Sequence, residues 1–336
     1  EIEFRGMTLT EEDLIQLFYY KFTETPLLKR MDAVKDYFID SWETLKGRNI
    51  SEDDQEMLQM KFDKMYTTKD IYTIYNWMLD DCGCDLLPEV PYEKRKLPYE
   101  DVFPMLYLKY RLSGGNSTHK NIKHLVIDEM QDYTYLQYTI LESLFHCRMT
   151  ILGDRAQTLD TKQQDVLRFL PKLLGREIRT IEIKKSYRNT LEIARYAEKV
   201  SGVSDLELLD RHGKEVVEKT FNTDTELLDE LVCHLKCPGD FETAALLTTT
   251  EEEAFDLSRL LKLRGINVSY VDRNSSAFKK GLTVTTFYLA KGLEFDQVFA
   301  LRGAKENPLK NQAEYICATR ALHELYVYEI ANSLSK

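Results

Sequence analysis

Residues 124–132 read His-Leu-Val-Ile-Asp-Glu-Met-Gln-Asp, a short apolar run that ends in two adjacent carboxylates. Such a run predicts a buried strand of a parallel sheet, and its end delivers Asp128 and Glu129 to the carboxyl edge, where ligands bind in these folds. One carboxylate there can hold Mg²⁺ through water while its neighbour orients a nucleophilic water. Taken alone, the stretch is equally typical of a strand that is followed by a solvated acidic turn.

Strand-like and helical patterns alternate around this run, from residue 98 onward. Short apolar strands separated by helices are typical of parallel α/β sheets with right-handed crossovers. The predicted strands are 122–127, 149–152, 179–183, 244–248, 268–271, 282–287, 298–301 and 325–330. The predicted helices are 99–112, 165–174, 190–200, 224–236, 251–263 and 311–322.

The chain before residue 98 predicts helices. Thr10-Glu-Glu-Asp13 resembles a helix-start box, a second helix fits between Pro26 and Gly47, Ser51 opens a third helix, and Thr68 opens a fourth. The many aromatic side chains of this region favour a packed helical core, with a partner-binding surface as the alternative. The stretch 82–98 predicts a linker.

Composition excludes several classes of protein. The chain has 336 residues, of which 43% are apolar and 30% charged, as in globular proteins with a substantial core. No apolar run reaches the roughly 20 residues that cross a bilayer, so we expect a cytoplasmic protein without membrane contact. The net charge of −11 argues against binding nucleic acid through blanket positive charge. The Cys82/Cys84 and Cys233/Cys237 pairs lack the usual zinc spacing, so we expect reduced thiols.

Four further polar motifs follow the carboxylate run along the chain. They are Gly153-Asp-Arg-Ala-Gln157, Ser186-Tyr-Arg-Asn189, Ala290-Lys-Gly-Leu-Glu-Phe-Asp296 and Tyr315-Ile-Cys-Ala-Thr-Arg-Ala321. Together with Asp128–Asp132, and in this order, they are similar to the ATPase motifs of superfamily 1 helicases of the UvrD/Rep type. Tyr99-Glu-Asp-Val resembles the aromatic-acidic segment that leads into the Walker B strand of that family. Tyr288-Leu289 and the helical N-terminal segment look most like HelD-type proteins, which dislodge RNA polymerase.

The resemblance implies roles in phosphoryl transfer for several side chains. Asp128 would coordinate Mg²⁺, Glu129 would be the general base for the attacking water, and Gln157 would sense the γ-phosphate or its water. Arg188 and Arg320 would reach the γ-phosphate as arginine fingers. These residue types suit the reaction because it requires positioning and neutralisation of charge on the γ-oxygens.

The resemblance also implies contacts with the rest of ATP. Tyr187 would stack on the adenine, and Glu294 would hydrogen-bond the ribose. ATP and Mg²⁺ are therefore the expected cofactors.

The phosphate-binding loop that opens the motif series of this family, G-x-x-x-x-G-K-[ST], is missing. The single Gly-Lys dipeptide of the chain, Gly213-Lys214, is followed by Glu215. Without the amides and the lysine of that loop, nucleotide affinity and hydrolysis should be poor. Because the other motif residues are intact, we expect a fragment whose P-loop lies upstream of Glu1; the alternative is a protein that has lost its ATPase.

Some positions that face DNA in this family also differ. Thr158 and Leu159 stand where an aromatic residue usually follows the GDxxQ motif, and Tyr288 occupies a position that is usually histidine. Too few residues separate 268–271 from 282–287 for the large inserted domain of UvrD-like proteins. Ordinary duplex unwinding is therefore doubtful, whereas ATP-driven motion on another substrate remains consistent with the motifs.

We predict an α/β protein with two RecA-like parallel-sheet domains, the first incomplete, preceded by a helical segment. Residues 1–97 would be a helical insertion or arm, 98–175 the remnant of the first domain, and 176–336 the second domain. The intact protein would couple ATP hydrolysis to movement on nucleic acid, DNA foremost, or to remodelling of RNA polymerase, and this chain alone would be inactive. A non-catalytic helicase-like module that docks on RNA polymerase or DNA is the alternative, and a Mg²⁺ nuclease built on the Asp-Glu pair is a weaker one.

Overall fold

The computed structural model describes residues 1–115, 119, 121–159, 166–175, 178–202, 207–236, 241–275, 280–302 and 308–331. Internal contacts divide the chain into two compact units. The first unit comprises Glu1–Val126 and Thr134–Thr150, and the second comprises Ile127–Tyr133 and Ile151–Lys336. The predicted domain limits at 97/98 and 175/176 stay predictions.

The first unit begins with a hairpin that the sequence patterns did not predict. Strand β1 (Ile2–Phe4) pairs antiparallel with strand β2 (Met7–Leu9). Arg5 and Gly6 connect them with φ angles of 42° and 82°, and positive φ at both central residues matches the right-handed twist of a hairpin. Three-residue strands are too short to show a periodic pattern, which is why the expectation of helices alone was wrong here.

Six helices make up most of the remaining regular structure of the first unit, and their starts depend on local capping. Thr10 and Asp13 form the predicted capping box, Gly47 ends the second helix with φ of 62°, and Ser51 caps the third. The fourth helix is capped by Asp70 instead of Thr68, because the Asp70 carboxylate accepts the Thr73 amide. The helices are α1 (Glu11–Ile15), α2 (Arg30–Lys46), α3 (Glu52–Asp63), α4 (Ile71–Asp81), α5 (Tyr99–Ser113) and α6 (Tyr135–Leu144).

Aromatic side chains fill the core of the first unit. Phe38, Trp42 and Phe62 are almost completely buried, and the Phe4 and Trp42 rings meet edge to face at 5.4 Å. The packed-core interpretation is confirmed for Trp42, Tyr72 and Tyr75, whereas four other aromatic side chains of this region are exposed, namely Tyr19, Tyr20, Tyr37 and Trp77. Within the described ranges, no helix is long and apolar enough to cross a membrane.

Parallel pairing dominates the rest of the described chain. Strands β3 (His124–Ile127) and β4 (Arg148–Ile151) form one two-stranded sheet, and β5 (Lys185–Ser186) and β6 (Glu207–Leu208) form another. A six-stranded sheet consists of β7 (Val217–Phe221), β8 (Thr243–Thr248), β9 (Ser269–Tyr270), β10 (Gly281–Thr286), β11 (Phe295–Arg302) and β12 (Ala321–Ile330). Its order is β7-β12-β11-β8-β10-β9, and all its pairings are parallel. The predicted α/β class is confirmed.

Helices cover both faces of the six-stranded sheet. Helix α7 (Val166–Leu174) follows β4 along the chain, and the helices that cover the sheet are α8 (Leu191–Ser201), α9 (Asp224–Lys236), α10 (Glu251–Leu263) and α11 (Lys310–Arg320). Neighbouring residues of β11 point to opposite faces: Val298 packs with Ile316 of α11, and Phe299 packs with Leu231 of α9. Burial on both faces explains the continuous apolar runs that predict the central strands.

The predicted strand 179–183 is not formed. Ile181 and Ile183 are 69% and 81% exposed, and the strand β5 begins only at Lys185. An apolar run without a neighbouring strand or covering helix gains nothing from an extended, buried arrangement. Conversely, Val217–Phe221 was not predicted, because its middle residues are polar and exposed although it lies at the edge of the large sheet.

Candidate functional site

The carboxylates that follow β3 lie in a strained turn. Glu129 has φ of 52° and ψ of 51°, a left-handed conformation that costs a non-glycine residue about 1–3 kcal/mol. The Glu129 amide donates to the Asp128 carboxylate at 2.8 Å, and the Gln131 side-chain amide donates to the Glu129 carboxylate at 2.6 Å. These bonds hold the turn, so the Glu129 carboxylate has a fixed position while Asp128 is exposed to solvent.

A second turn, at the end of β4, packs directly against the first. The Met130 amide donates to the Leu152 carbonyl at 2.8 Å, and the Asp154 amide donates to the Gln131 side-chain oxygen at 3.1 Å. A Cβ atom on Gly153 would lie 2.6 Å from the Met130 nitrogen and 2.5 Å from the Gln131 side-chain oxygen. Only glycine therefore permits the two turns to approach this closely.

Asp154 and Gln157 join this turn to α11. The Gln157 side-chain amide donates to the Asp154 carboxylate at 3.0 Å, and the Tyr315 hydroxyl donates to the same carboxylate oxygen at 2.7 Å. Burial, together with the Asp154 charge, raises the pKa of Tyr315, so the hydroxyl stays protonated and donates. The Gln157 side-chain oxygen accepts a hydrogen bond from Arg320 at 3.3 Å.

Arg320 is the buried cation of the site. Its guanidinium is held by the Leu293 carbonyl at 3.3 Å and by the Thr319 hydroxyl at 3.2 Å, and the residue is only 3% exposed. Its Nε has no hydrogen-bond partner, and among the described residues no carboxylate lies within ion-pair distance of the guanidinium. Burial and the nearby Arg188 charge lower the pKa of Arg320, against the opposing effect of the Glu129 and Glu294 carboxylates.

The sheet register explains why Glu294 and Arg320 are neighbours. Phe295, the first residue of β11, pairs with Ala321, the first residue of β12. Glu294 and Arg320 directly precede this pair and therefore meet at the amino edge of the sheet. The carboxylates 128 and 129, in contrast, follow the carboxyl end of their strand. Two of the predicted site residues, Glu294 and Arg320, therefore precede strands, whereas the carboxylates 128 and 129 follow one.

Arg188 and Glu294, for which the resemblance implies separate contacts with ATP, form an ion pair with each other. The Arg188 Nε lies 2.7 Å from the Glu294 carboxylate, and both side chains are more than 40% exposed. The adjacent Tyr187 ring is 61% exposed. The buried Asn189 anchors this segment, because its side-chain amide donates to the Ala321 carbonyl at 2.5 Å.

Several polar residues of the site were not assigned roles from the sequence. Lys291, whose side chain is 10% exposed, pairs with Asp132 at 2.6 Å, and Gln131, Asp154 and Tyr315 bridge the turns as described above. All of them lie inside the five motifs, so their position within these motifs could have identified them from the sequence.

Gly213-Lys214 is not a phosphate-binding loop. A Cβ on Gly213 would lie 2.5 Å from the Thr190 side chain, and the Lys214 ammonium donates to the Tyr326 hydroxyl at 2.7 Å. The glycine therefore serves close packing, and the lysine is engaged by the sheet.

Protein side chains alone do not form a metal cage in the described chain. No group of three or more His, Cys, Asp or Glu residues there is arranged to hold a metal ion. The cysteines at 82, 84, 147, 233 and 317 are free thiols, and Cys237 lies outside the described residues. Mg²⁺, however, is usually bound through one or two carboxylates together with phosphate oxygens, and an exposed Asp128 suits that arrangement.

No protein-family model matches the chain, and no curated protein matches it. Two solved structures described as helicases are similar to it. One is the C-terminal domain of a possible DNA helicase from Lactobacillus plantarum WCFS1, with 25% identity over 43% of this chain and 88% of that chain, at a TM-score of 0.36. The other is the helicase of PRRSV, with 15% identity over 78% of this chain, at a TM-score of 0.37. This chain spans 46% of the viral helicase chain.

Proposed function

We propose that this chain is part of a superfamily 1 ATPase of the helicase or translocase type and that its second unit carries the hydrolytic half of the ATP site. The observation that supports this most directly is the Arg320 guanidinium. A buried cation without a paired anion costs several kcal/mol, and natural proteins keep such groups mainly where a ligand compensates the charge. A triphosphate supplies that compensation.

The surrounding residues suit such a ligand. Gln157 forms hydrogen bonds with both Arg320 and Asp154. Gln131 holds the Glu129 carboxylate, and the negative charge of Glu129 favours the charged form of Arg320. In the proposed site Asp128 holds Mg²⁺, which neutralises charge on the phosphate oxygens, and Glu129 accepts the proton of the attacking water. Gln157 orients that water, and Arg320 donates to the γ-phosphate.

The ion pair between Arg188 and Glu294 has a place in this proposal. An exposed pair of this kind contributes about 0–1 kcal/mol, so it opens at little cost when a ligand competes for it. Arg188 then contacts the γ-phosphate, Glu294 the ribose and the exposed Tyr187 ring the adenine.

The polymer on which the intact protein acts is a proposal from the motif resemblance. Its likeness to UvrD/Rep-type helicases supports nucleic acid, with DNA foremost, and its likeness to HelD-type proteins supports remodelling of RNA polymerase in the cytoplasm. A non-catalytic module that docks on RNA polymerase or DNA remains the alternative.

The proposal is tested first on this chain of 336 residues. We expect no phosphate release from Mg²⁺-ATP, with or without single-stranded DNA, because the sequence has no phosphate-binding loop. Clear turnover would contradict this expectation and would mean that another segment binds the phosphates.

The decisive test uses the product of the complete gene. We expect R320K to lower ATP turnover by about 10³-fold or more, as the loss of an arginine finger does in related nucleotidases. We expect E129Q to lower it by about 10²- to 10⁴-fold, as the loss of a general base does. R259K is the matched control, because Arg259 is an exposed arginine on α10 whose nearest carboxylate is 3.8 Å away. Wild-type turnover that R320K leaves unchanged would refute the assigned site, and tight binding to polymerase or DNA without any turnover would support the non-catalytic alternative.

A further inference from the structure

An open depression of about 640 Å³ lies in the first unit, at the start of strands β3 and β4. Its lining combines three basic residues, Lys123, His146 and Arg148, with Ile122 and Cys147. Lys123 directly precedes β3, and Arg148 is the first residue of β4, so strand pairing brings the basic side chains together. All three basic residues are exposed to solvent.

The charge of this surface contrasts with that of the whole chain. No Asp or Glu occurs between Asp101 and Asp128, or between Glu142 and Asp154, although the chain contains 56 of them and carries a net charge of −11. Among the described residues, neither Lys123 nor Arg148 forms an ion pair, whereas other lysines and arginines of the chain do. Clustered cations that lack an ion-pair partner repel one another, and an anionic partner relieves that repulsion.

An aromatic pair flanks the basic residues. The His119 and Phe145 rings lie 4.9 Å apart at an interplanar angle of 31°, and Phe145 directly precedes His146. Cations that follow a phosphate backbone, next to ring faces on which bases stack, are the combination by which proteins bind single-stranded nucleic acid.

We propose that this depression binds the backbone of single-stranded nucleic acid, with Lys123 and Arg148 contacting phosphates and the His119–Phe145 pair offering a stacking surface. The open form and exposed cations suit a polymer that runs across the surface. The inference rests on the proposed function only for its nucleic-acid partner. It uses no residue of the candidate ATP site, and its test contains no ATP, so each proposal can fail while the other stands.

The test is a salt titration of binding, followed by fluorescence anisotropy of a labelled oligothymidylate of about 16 nucleotides. Each phosphate contact to a single strand contributes about −0.7 to the slope of log K against log salt. The double variant K123Q/R148Q should therefore lower the steepness of this slope by about 1.4 and weaken binding more than tenfold near 50 mM salt. Its melting temperature should equal that of the wild type, because both side chains are exposed.

The control is the double variant R259Q/K262Q, which makes the same change in net charge on the exposed face of α10. We expect it to keep the wild-type slope and affinity. Equal binding by the two double variants would overturn the proposal. Displacement of the oligothymidylate by polyglutamate at equal charge concentration would also overturn it and would assign the depression to an acidic protein partner.

Discussion

Arg302 and Arg320 are both largely buried in the second unit, yet we expect methionine at the two positions to change stability very differently. The Arg302 guanidinium donates to Glu314 at 2.8 Å and to Glu329 at 2.8 Å. Burial alone would lower the pKa of Arg302, but the hydrogen bonds to these carboxylates outweigh it and raise the pKa. Arg320 has no such partner, and its pKa is lowered.

The expected magnitudes follow from these contacts. R302M leaves the Glu314 side chain, only 9% exposed, without its counter-charge, and breaking a buried pair in this way costs about 3–5 kcal/mol. Because the Arg302 side chain is 20% exposed, we expect the lower end, about 3 kcal/mol. R320M forfeits three long hydrogen bonds of about 1 kcal/mol each but removes a desolvation cost of several kcal/mol. These two terms nearly cancel, so we expect a change of less than about 1 kcal/mol.

Two spectroscopic signals distinguish the two units during urea unfolding. Both tryptophans, Trp42 and Trp77, belong to the first unit, so their fluorescence reports that unit, whereas far-ultraviolet circular dichroism reports both. With a slope of about 3 kcal/mol/M, R302M should move the dichroism transition of the second unit down by about 1 M urea and leave the fluorescence transition in place. R320M should move neither.

The control is R259M, which replaces an exposed arginine and should also leave both transitions unchanged. If R320M destabilises the protein as much as R302M does, Arg320 is part of a structural ion pair. The reasoning that assigns it to a bound anion is then refuted.

Two further predictions concern other parts of the second unit. G153A should lower the free energy of unfolding by about 1–3 kcal/mol, because the added Cβ would overlap the Met130 nitrogen; urea unfolding measures this, and wild-type stability would contradict the close approach of the two turns. The second prediction is a pH dependence: the hydrogen bond to Glu192 raises the pKa of His212, and His212 in turn lowers the pKa of Glu192 to about 2. The stabilisation from His212 is complete below its unfolded pKa of about 6.5 and is lost as pH rises through the higher folded value, while that from Glu192 is lost only as pH falls from about 4.5 toward 2. H212Q should therefore flatten the stability curve above about pH 6.5, and a difference from wild type that does not vary with pH would show that the pair is not formed.

Local features of the fold could be predicted from the sequence because they depend on residues close along the chain. The capping box of Thr10 and Asp13 and the end of α2 at Gly47 need only a side chain and a backbone angle within one helical turn. The central strands around Leu246 and Val298 could be predicted because burial on both faces requires an unbroken apolar run.

Other features depended on partners that are distant in sequence. The isoleucines of 179–183 have the composition of a strand, but no strand pairs with them in the described chain. Arg188 and Glu294 were predicted as separate ligand contacts, and only the folded chain shows that they pair.

The sequence by itself determined most of the helices, the central strands and the set of motif residues, because backbone preference and apolar periodicity are properties of neighbouring residues. Only the tertiary structure decided which polar groups are buried and which hydrogen-bond partners they have there. Arg320 and Arg302 are the same residue type, yet sheet register places one beside Gln157 with an unpartnered nitrogen and the other between two carboxylates. The free energy of a buried charge depends on the groups within a few ångströms of it, and those groups come from segments that are far apart along the chain.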